Sequence, residues 1–179
     1  HNKLFFYSRL FLTFYSQHLS GDFLFVNNGS PIRYRLLWTG NLYLIEAPFL
    51  LFGLAILLSE GIKAKKYLYL IPLVWLVIGA LPAALTWEDL PNVVRANLMI
   101  PALMMIVSFG FYETLELTRG TIRQIFIVVC CLALFQNAAK FLHNYFYHAT
   151  IHEPWHRSAS ESDLIYSIND VAKNDQKVV

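Results

Sequence analysis

Four long apolar runs constrain this chain more than any other feature. They cover residues 42–58, 67–85, 98–115 and 125–142. Each has about the 17 to 25 residues that a helix needs to cross a hydrocarbon core of roughly 30 Å. Inside a bilayer, a helix is the only open-ended structure that satisfies its own backbone hydrogen bonds. The sequence therefore predicts an all-α polytopic membrane protein with about four transmembrane helices.

The composition agrees with a membrane protein and excludes two other classes. Hydrophobic residues make up 56% of the chain and charged residues only 15%, which is too apolar for an ordinary soluble domain. The basic residues flank the apolar runs and form no patch of the kind that binds nucleic acid. The two cysteines, Cys130 and Cys131, are adjacent within an apolar run, so they provide neither a disulfide framework nor metal-ligand spacing.

The charges of the short loops predict the orientation of the helices. Residues 59–66 carry three lysines and residues 116–124 carry two arginines, whereas Arg95 is the one basic residue of the loop at 86–97. The positive-inside rule places the two basic loops in the cytoplasm. Residues 1–41, the loop around Arg95 and the tail 143–179 are then predicted on the outer side, with residues 42–142 as the transmembrane region between them.

Both ends of the chain differ from the apolar centre. Residues 3–20 have Leu4, Tyr7, Phe11, Phe14 and Tyr15 at helical spacing, which predicts an amphipathic helix in the membrane interface. The alternative is the end of a fifth spanning helix.

The tail leaves the membrane through aromatic residues and histidines. Ser160 and Asp163 have the spacing of a helix cap, which predicts a helix through about Asn174 and then a strand at Val178 and Val179. We therefore expect the start of an outer-face α/β domain. Because the chain also opens without Met, we expect a piece of a longer protein.

One polar stretch, TWEDLPNVVRANLMIP at residues 86–101, separates the second and third apolar runs. At a membrane surface, Arg95 would lie at the depth of lipid phosphates, and a guanidinium matches the geometry of phosphate oxygens. Glu88 and Asp89 would orient Arg95 or bind an acceptor. In the alternative interpretation, Glu88 or Asp89 caps a short helix and Arg95 reaches to the interface.

Three other polar positions could serve a site. Arg33 and Arg35 are two residues apart, so in an extended segment they point the same way and could grip a phosphate together. Anchoring at the interface is the alternative for both. Glu46 lies about one turn into an apolar run, where a carboxylate is costly unless it faces protein, a water-filled cavity or the water at a helix end.

Histidines are frequent near the fourth apolar run and raise the question of a metal site. The residues concerned are His143, His148, His152 and His156. The last three recur at every fourth position, but Pro154 interrupts the helix that would align them. No cysteine or close carboxylate cluster completes a ligand set, so the sequence predicts an interfacial belt and no metal; whether any cofactor binds stays unknown.

Three groups of residues together resemble a known family. The first is His18, Ser20 and Asp22-Phe23-Leu24-Phe25, followed by Arg33 and by Gly40, Leu42 and Tyr43. The second is Pro82, Ala83, Thr86, Glu88, Pro91 and Arg95, and the third is Tyr145, Phe146 and His148. In order and spacing they resemble the later membrane segments of bacterial GT-C glycosyltransferases of the family 39 type, which includes protein O-mannosyltransferases and aminoarabinose transferases. Asn92 stands where that family often has histidine.

The resemblance implies an integral membrane transferase that passes a sugar from a polyprenyl-phosphate donor to an acceptor on the outer face of a bacterial inner membrane. It implies that Arg95, with Arg33 and Arg35, neutralises the phosphate leaving group. It also implies that the catalytic acidic residue lies on an earlier loop, so no catalytic residue is assigned in this chain. The sugar, the acceptor and the length of the lipid are not indicated. The competing hypotheses are a piece of a transporter, with Glu46 lining a pathway, and a structural membrane subunit.

Overall fold

The computed structural model describes residues 3–31, 36, 38–148, 164–170 and 173. Every regular element in these ranges is helical, and β-type pairing among them is limited to one isolated bridge between Ser30 and Asn92. The α-helices run, in chain order, α1 (Lys3–His18), α2 (Gly21–Phe25), α3 (Ala47–Leu58), α4 (Ile71–Ala84), α5 (Val93–Ala96), α6 (Ile100–Leu117) and α7 (Gly120–His143).

Short turns of tighter or wider helix extend several of these elements into longer helical segments. Four segments are long and apolar enough to cross a membrane: Leu44–Lys63, Tyr67–Ala84, Val93–Leu117 and Gly120–His148. The prediction of four spanning helices in a multi-pass membrane protein is confirmed. The third span begins five residues before the predicted boundary at residue 98, because its helix includes α5 and the turn after it.

Prolines mark where three of these helices begin. Pro48, Pro72 and Pro101 each stand within the first two positions of α3, α4 and α6. Proline is favoured there because the first N–H groups of a helix have no partner inside the helix. Pro82 lies inside an α-helix, in the last turn of α4, and Pro101 lies within the longer helical segment Val93–Leu117.

The tightest packing in the molecule is between α3 and α6. A Cβ atom added to Gly53 would collide with the carbonyl oxygen of Ile106, and one added to Gly110 would collide with the carbonyl oxygen of Phe49. Without a hydrophobic force between helices in lipid, close approach of backbones is a main source of association. The two glycines therefore hold α3 and α6 backbone against backbone, and Leu103 and Ile106 are fully enclosed beside them.

The helix α7 packs much more loosely. Of its 24 residues, Cys130 alone is buried. Its main contact is aromatic: the Phe126 ring stacks on Phe111 at 5.8 Å between centroids and meets Phe49 edge-on at 6.0 Å. Most of the α7 surface is therefore not covered by the other described elements.

The first helix, α1, packs across α4. The Tyr15 hydroxyl donates a hydrogen bond to the carbonyl oxygen of Val77 at 3.0 Å, and His18 at the end of α1 is completely buried. The residues Leu4 to Tyr7 at the other end are more than half exposed. This leaves an apolar surface, consistent with the predicted interfacial helix and with the alternative of a fifth span.

The described part of the tail is helical. Helix continues past α7 to His148, six residues beyond the predicted end of the span at 142, and residues 164–170 form a further helix. The predicted cap at Ser160 and Asp163 and the predicted strand at Val178 and Val179 lie outside the described residues. The outer-face α/β domain stays a prediction.

Candidate functional site

Three segments that are far apart in the sequence meet at one end of the helical bundle. Leu42 donates its N–H to the carbonyl oxygen of Leu24 at 2.7 Å, and Asn28 donates its N–H to the carbonyl oxygen of Thr39 at 3.1 Å, so residues 24–28 lie beside residues 39–42. The Ser30 N–H donates to the carbonyl oxygen of Pro91 at 2.7 Å. The segment before α3 and the loop before α6 therefore form one surface, here called the polar end, as expected if both lie on the same side of a membrane.

Gly29 makes this junction possible. Its backbone has a φ of 81° in the left-handed region, which glycine adopts without steric cost. A Cβ at this position would collide with the carbonyl oxygen of Pro91 and come within 2.9 Å of the Phe23 ring. The Asn-Gly-Ser stretch at residues 28–30, which has the spacing of a glycosylation sequon, thus serves here as a backbone contact.

His18 joins α1 to the same junction. Its Nε2 atom accepts a hydrogen bond from the N–H of Asn92 at 3.0 Å, and its Nδ1 atom lies 2.7 Å from the carbonyl oxygen of Phe14. A main-chain N–H can only donate, so Nε2 must be unprotonated and Nδ1 carries the proton. Burial lowers the pKa of His18, against the opposing effect of the Phe14 carbonyl. The neutral imidazole is therefore part of the folded junction.

Asn92 has two roles in the loop. While its N–H is held by His18, its side-chain oxygen accepts the N–H of Arg95 at 3.0 Å and caps α5. Asparagine is among the best N-cap residues. The alternative interpretation that Glu88 or Asp89 caps this helix is wrong in its residue, since Asn92 is closer in the chain to the first turn. The position of Asn92 directly before VVRA is a helix-capping signal that can be read from the sequence.

Arg95 lies half-buried at the edge of the polar end. Its guanidinium donates one long hydrogen bond, 3.4 Å, to the main-chain carbonyl oxygen of Glu88. Among the described residues no carboxylate forms an ion pair with Arg95. Glu88 thus contacts Arg95 through the backbone, and the side chains of Glu88 and Asp89 are exposed. Most of the guanidinium donors remain available to an anion.

The remaining predicted site residues are distributed differently. Arg33 and Arg35 lie outside the described residues. Glu46 is at the start of the first span, where its carboxylate accepts the N–H of Tyr43 at 2.7 Å. This contact explains how a carboxylate can lie so near an apolar run. At the beginning of a helix, the carboxylate interacts favourably with the unpaired N–H groups. Glu46 is the one carboxylate among the described residues that line the small cavity between α3, α6 and α7.

The histidines near the tail are close to aromatic rings. The His143 ring lies 5.0 Å from the His148 ring and stacks on Tyr147 at 5.2 Å. Within the described ranges no three residues of the metal-binding types come together. His152 and His156 lie outside those ranges, and the interfacial belt without metal stays a prediction.

Comparison with known proteins gives no independent assignment. No family model, no curated protein and no solved structure matches this chain.

Proposed function

We propose that this protein is an integral membrane glycosyltransferase that moves a sugar from a polyprenyl-phosphate donor to an acceptor at the polar end of the bundle. The sequence resemblance to GT-C transferases is the origin of the proposal. The observation that carries it is the His18–Asn92 hydrogen bond at 3.0 Å, since it brings two of the three resembling segments together across 74 residues of chain. Segments that form one site must meet in this way.

The chemistry proposed for Arg95 follows from its surroundings. When a sugar leaves a lipid phosphate, the bond between the anomeric carbon and the phosphate oxygen breaks and negative charge builds on the phosphate. A positioned guanidinium stabilises this charge because it is already oriented when the bond breaks. The Asn92 cap fixes the backbone of Arg95, and the Glu88 carbonyl holds one edge of its guanidinium. Arg33 and Arg35 are the further cations that the resemblance assigns to the phosphate.

Glu88 and Asp89 have a different place in this proposal. Both carboxylates are exposed beside Arg95, and Asp89 has a φ of 53° in the left-handed region, which turns the loop at that point. Exposed carboxylates beside a cation suit an acceptor with hydroxyl groups, since they accept hydrogen bonds from them. The proposal places the polar end on the outer face of a bacterial inner membrane, opposite the two basic loops.

The experiment measures transfer of labelled sugar from polyprenyl-phosphate donors in membrane vesicles that contain the intact gene product. Replacing Arg95 by Ala should reduce transfer about 100-fold, the order found when a donor to developing negative charge is removed. Replacing Arg95 by Lys should restore part of it, because charge is kept while the planar fork is lost. Arg123→Ala, in the first turn of α7 at the opposite end, is the matched control and should transfer at the wild-type rate.

Two outcomes would count against the proposal. Equal transfer by wild type and Arg95→Ala at matched protein levels would remove Arg95 from the phosphate site. The absence of transfer with every donor would favour the transporter or structural-subunit hypotheses.

A further inference from the structure

A second cavity opens at the polar end, away from Arg95. It has a volume of about 300 Å³ and lies between the stretch that precedes α3 and the last turns of α7. One wall is formed by residues 38–40 and 42–44 with Phe25 and Val26, and the other by Asn137, Lys140, Phe141 and Asn144. The volume is about ten times the roughly 30 Å³ that one water molecule occupies in the liquid. A small polar group with part of its attached chain would fit.

The described residues that line this cavity carry positive charge and no negative charge. Residues 23–45 and 120–148 contain neither Asp nor Glu, so the two segments that form the walls supply no carboxylate. Glu46 is the nearest acid along the chain, but its carboxylate is held by the Tyr43 N–H and lines a different cavity. Within the described ranges the ammonium of Lys140 has no ion-pair partner. The cavity is therefore electrostatically suited to an anion.

The cavity also offers neutral hydrogen-bond donors. The Asn137 amide donates one hydrogen bond to the carbonyl oxygen of Ala133 at 2.8 Å, which leaves its second N–H. Gly40 packs so closely on Phe25 that a Cβ would overlap the backbone there, and none of the hydrogen bonds among the described residues uses its N–H. An ammonium with nearby amide donors is a common environment for phosphate oxygens.

Apolar side chains complete the lining. Phe25, Leu42 and Phe141 border the same cavity as Lys140, and Trp38 presents its ring beside them with a φ of 56° in the left-handed region. Lys140 is near the end of a helix that is otherwise apolar enough to span a membrane. Polar and apolar walls at the end of a span match the boundary between lipid headgroups and acyl chains, where Trp is also favoured.

We propose that this cavity binds a phosphate group, carried on an anionic membrane lipid or free in solution, through Lys140 and Asn137. The site is distinct in its residues from the one proposed around Arg95, and it does not depend on glycosyl transfer. A lysine that merely extends to the interface would attract anionic lipids without any contribution from Asn137. That difference provides the test.

The test is native mass spectrometry of the purified protein from mixed micelles of phosphatidylcholine and phosphatidate. Wild type should retain one phosphatidate in preference to phosphatidylcholine. Lys140→Gln should lower the retained fraction roughly fivefold, the equivalent of the contribution of one lysine near an anionic surface. Asn137→Leu keeps the charge and the volume, and it should lower retention by a similar factor. Arg123→Gln, which removes a cation from the other end of the same helix, should retain phosphatidate as wild type does.

The source of the phosphate is tested in a second arm. Excess inorganic phosphate that displaces phosphatidate from wild type would show that the site recognises the phosphate alone, and failure to displace it would show that the lipid chain is needed.

Equal retention by wild type and Lys140→Gln would overturn the proposal. Retention lost in Lys140→Gln but unchanged in Asn137→Leu would also overturn it, in favour of a lysine without a built site. Thermal unfolding of each variant confirms that any loss is one of binding.

Discussion

The pair α3–α6 and the helix α7 are both apolar, yet the structure uses them in opposite ways. In α3–α6, two glycines bring the backbones together and the facing side chains are enclosed. In α7, Cys130 is the one buried residue of 24, and the attachment to the pair is a small aromatic cluster. Hydrophobicity thus decides that a helix lies in lipid, while shape decides which helix it packs against.

The most damaging change should be Gly110→Leu. Its side chain would have to enter the space of the Phe49 carbonyl and the Gly53 nitrogen, and backbone atoms cannot move aside as a side chain can. We expect a loss of about 3 kcal/mol or more in the free energy of unfolding, at or beyond the upper end for overpacking. Equilibrium unfolding in detergent or bicelles measures it. The matched control is Ala138→Leu on the exposed surface of α7, where a change within about 0.5 kcal/mol is expected. Comparable losses in the two variants would remove the distinction between the regions.

A smaller loss of stability should follow when a ring is removed from the aromatic cluster of Phe49, Phe111 and Phe126. Phe49 belongs to the pair and touches Phe111 at 5.3 Å as well as Phe126. We expect Phe49→Ala to cost about 2 to 3 kcal/mol, less than is usual in a soluble core because lipid can fill part of the space. Phe126→Ala should cost about half as much, because Phe126 joins only α7 to the rest. The same unfolding measurement tests both, and a larger loss for Phe126→Ala would show α7 to be a full member of the packed core.

The smallest effect is the pH dependence of stability. It arises from His18 at the polar end and involves neither the α3–α6 pair nor α7. His18 has a lowered pKa in the folded protein, so its contribution to stability is complete above the unfolded value of about 6.5. As pH falls below that value toward the lower folded pKa, the unfolded state binds the proton first and stability decreases. The slope reaches at most about 1.4 kcal/mol per pH unit.

Hydrogen exchange of the Asn92 amide between pH 7.5 and about 5 measures this effect after correction for intrinsic exchange rates. In His18→Gln, a side-chain oxygen can accept the same N–H without titrating, so the dependence should flatten. A protection factor that falls equally with pH in wild type and in this variant would assign the effect to other groups.

The sequence predicts the spanning helices because lipid imposes a strict rule of length and polarity. The same rule says little about packing, since Gly53 and Gly110 are single small residues whose partners cannot be identified without the third dimension. At the polar end, the sequence marked Arg95 and the loop around it. It did not predict that Asn92 would bind His18, because a contact between residues so far apart has no local signature. The cap of α5 by Asn92 did have a local signal, but the interpretation assigned the cap to Glu88 or Asp89. Lys140 was missed for the reason that a lysine at the end of a span is ordinarily only an anchor.

The junction of His18 with Asn92 also has a consequence for biosynthesis. The two residues are separated by 74 positions, and the first two spans lie between them. At the usual rates of translation, His18 waits about 4 to 15 s before its partner has been synthesised. The imidazole lacks Asn92 for that whole interval, and α1 has no completed α4 to pack against until residue 84 has been added. The nascent chain therefore presents an unassembled first helix until the second span and the loop that follows it have been synthesised.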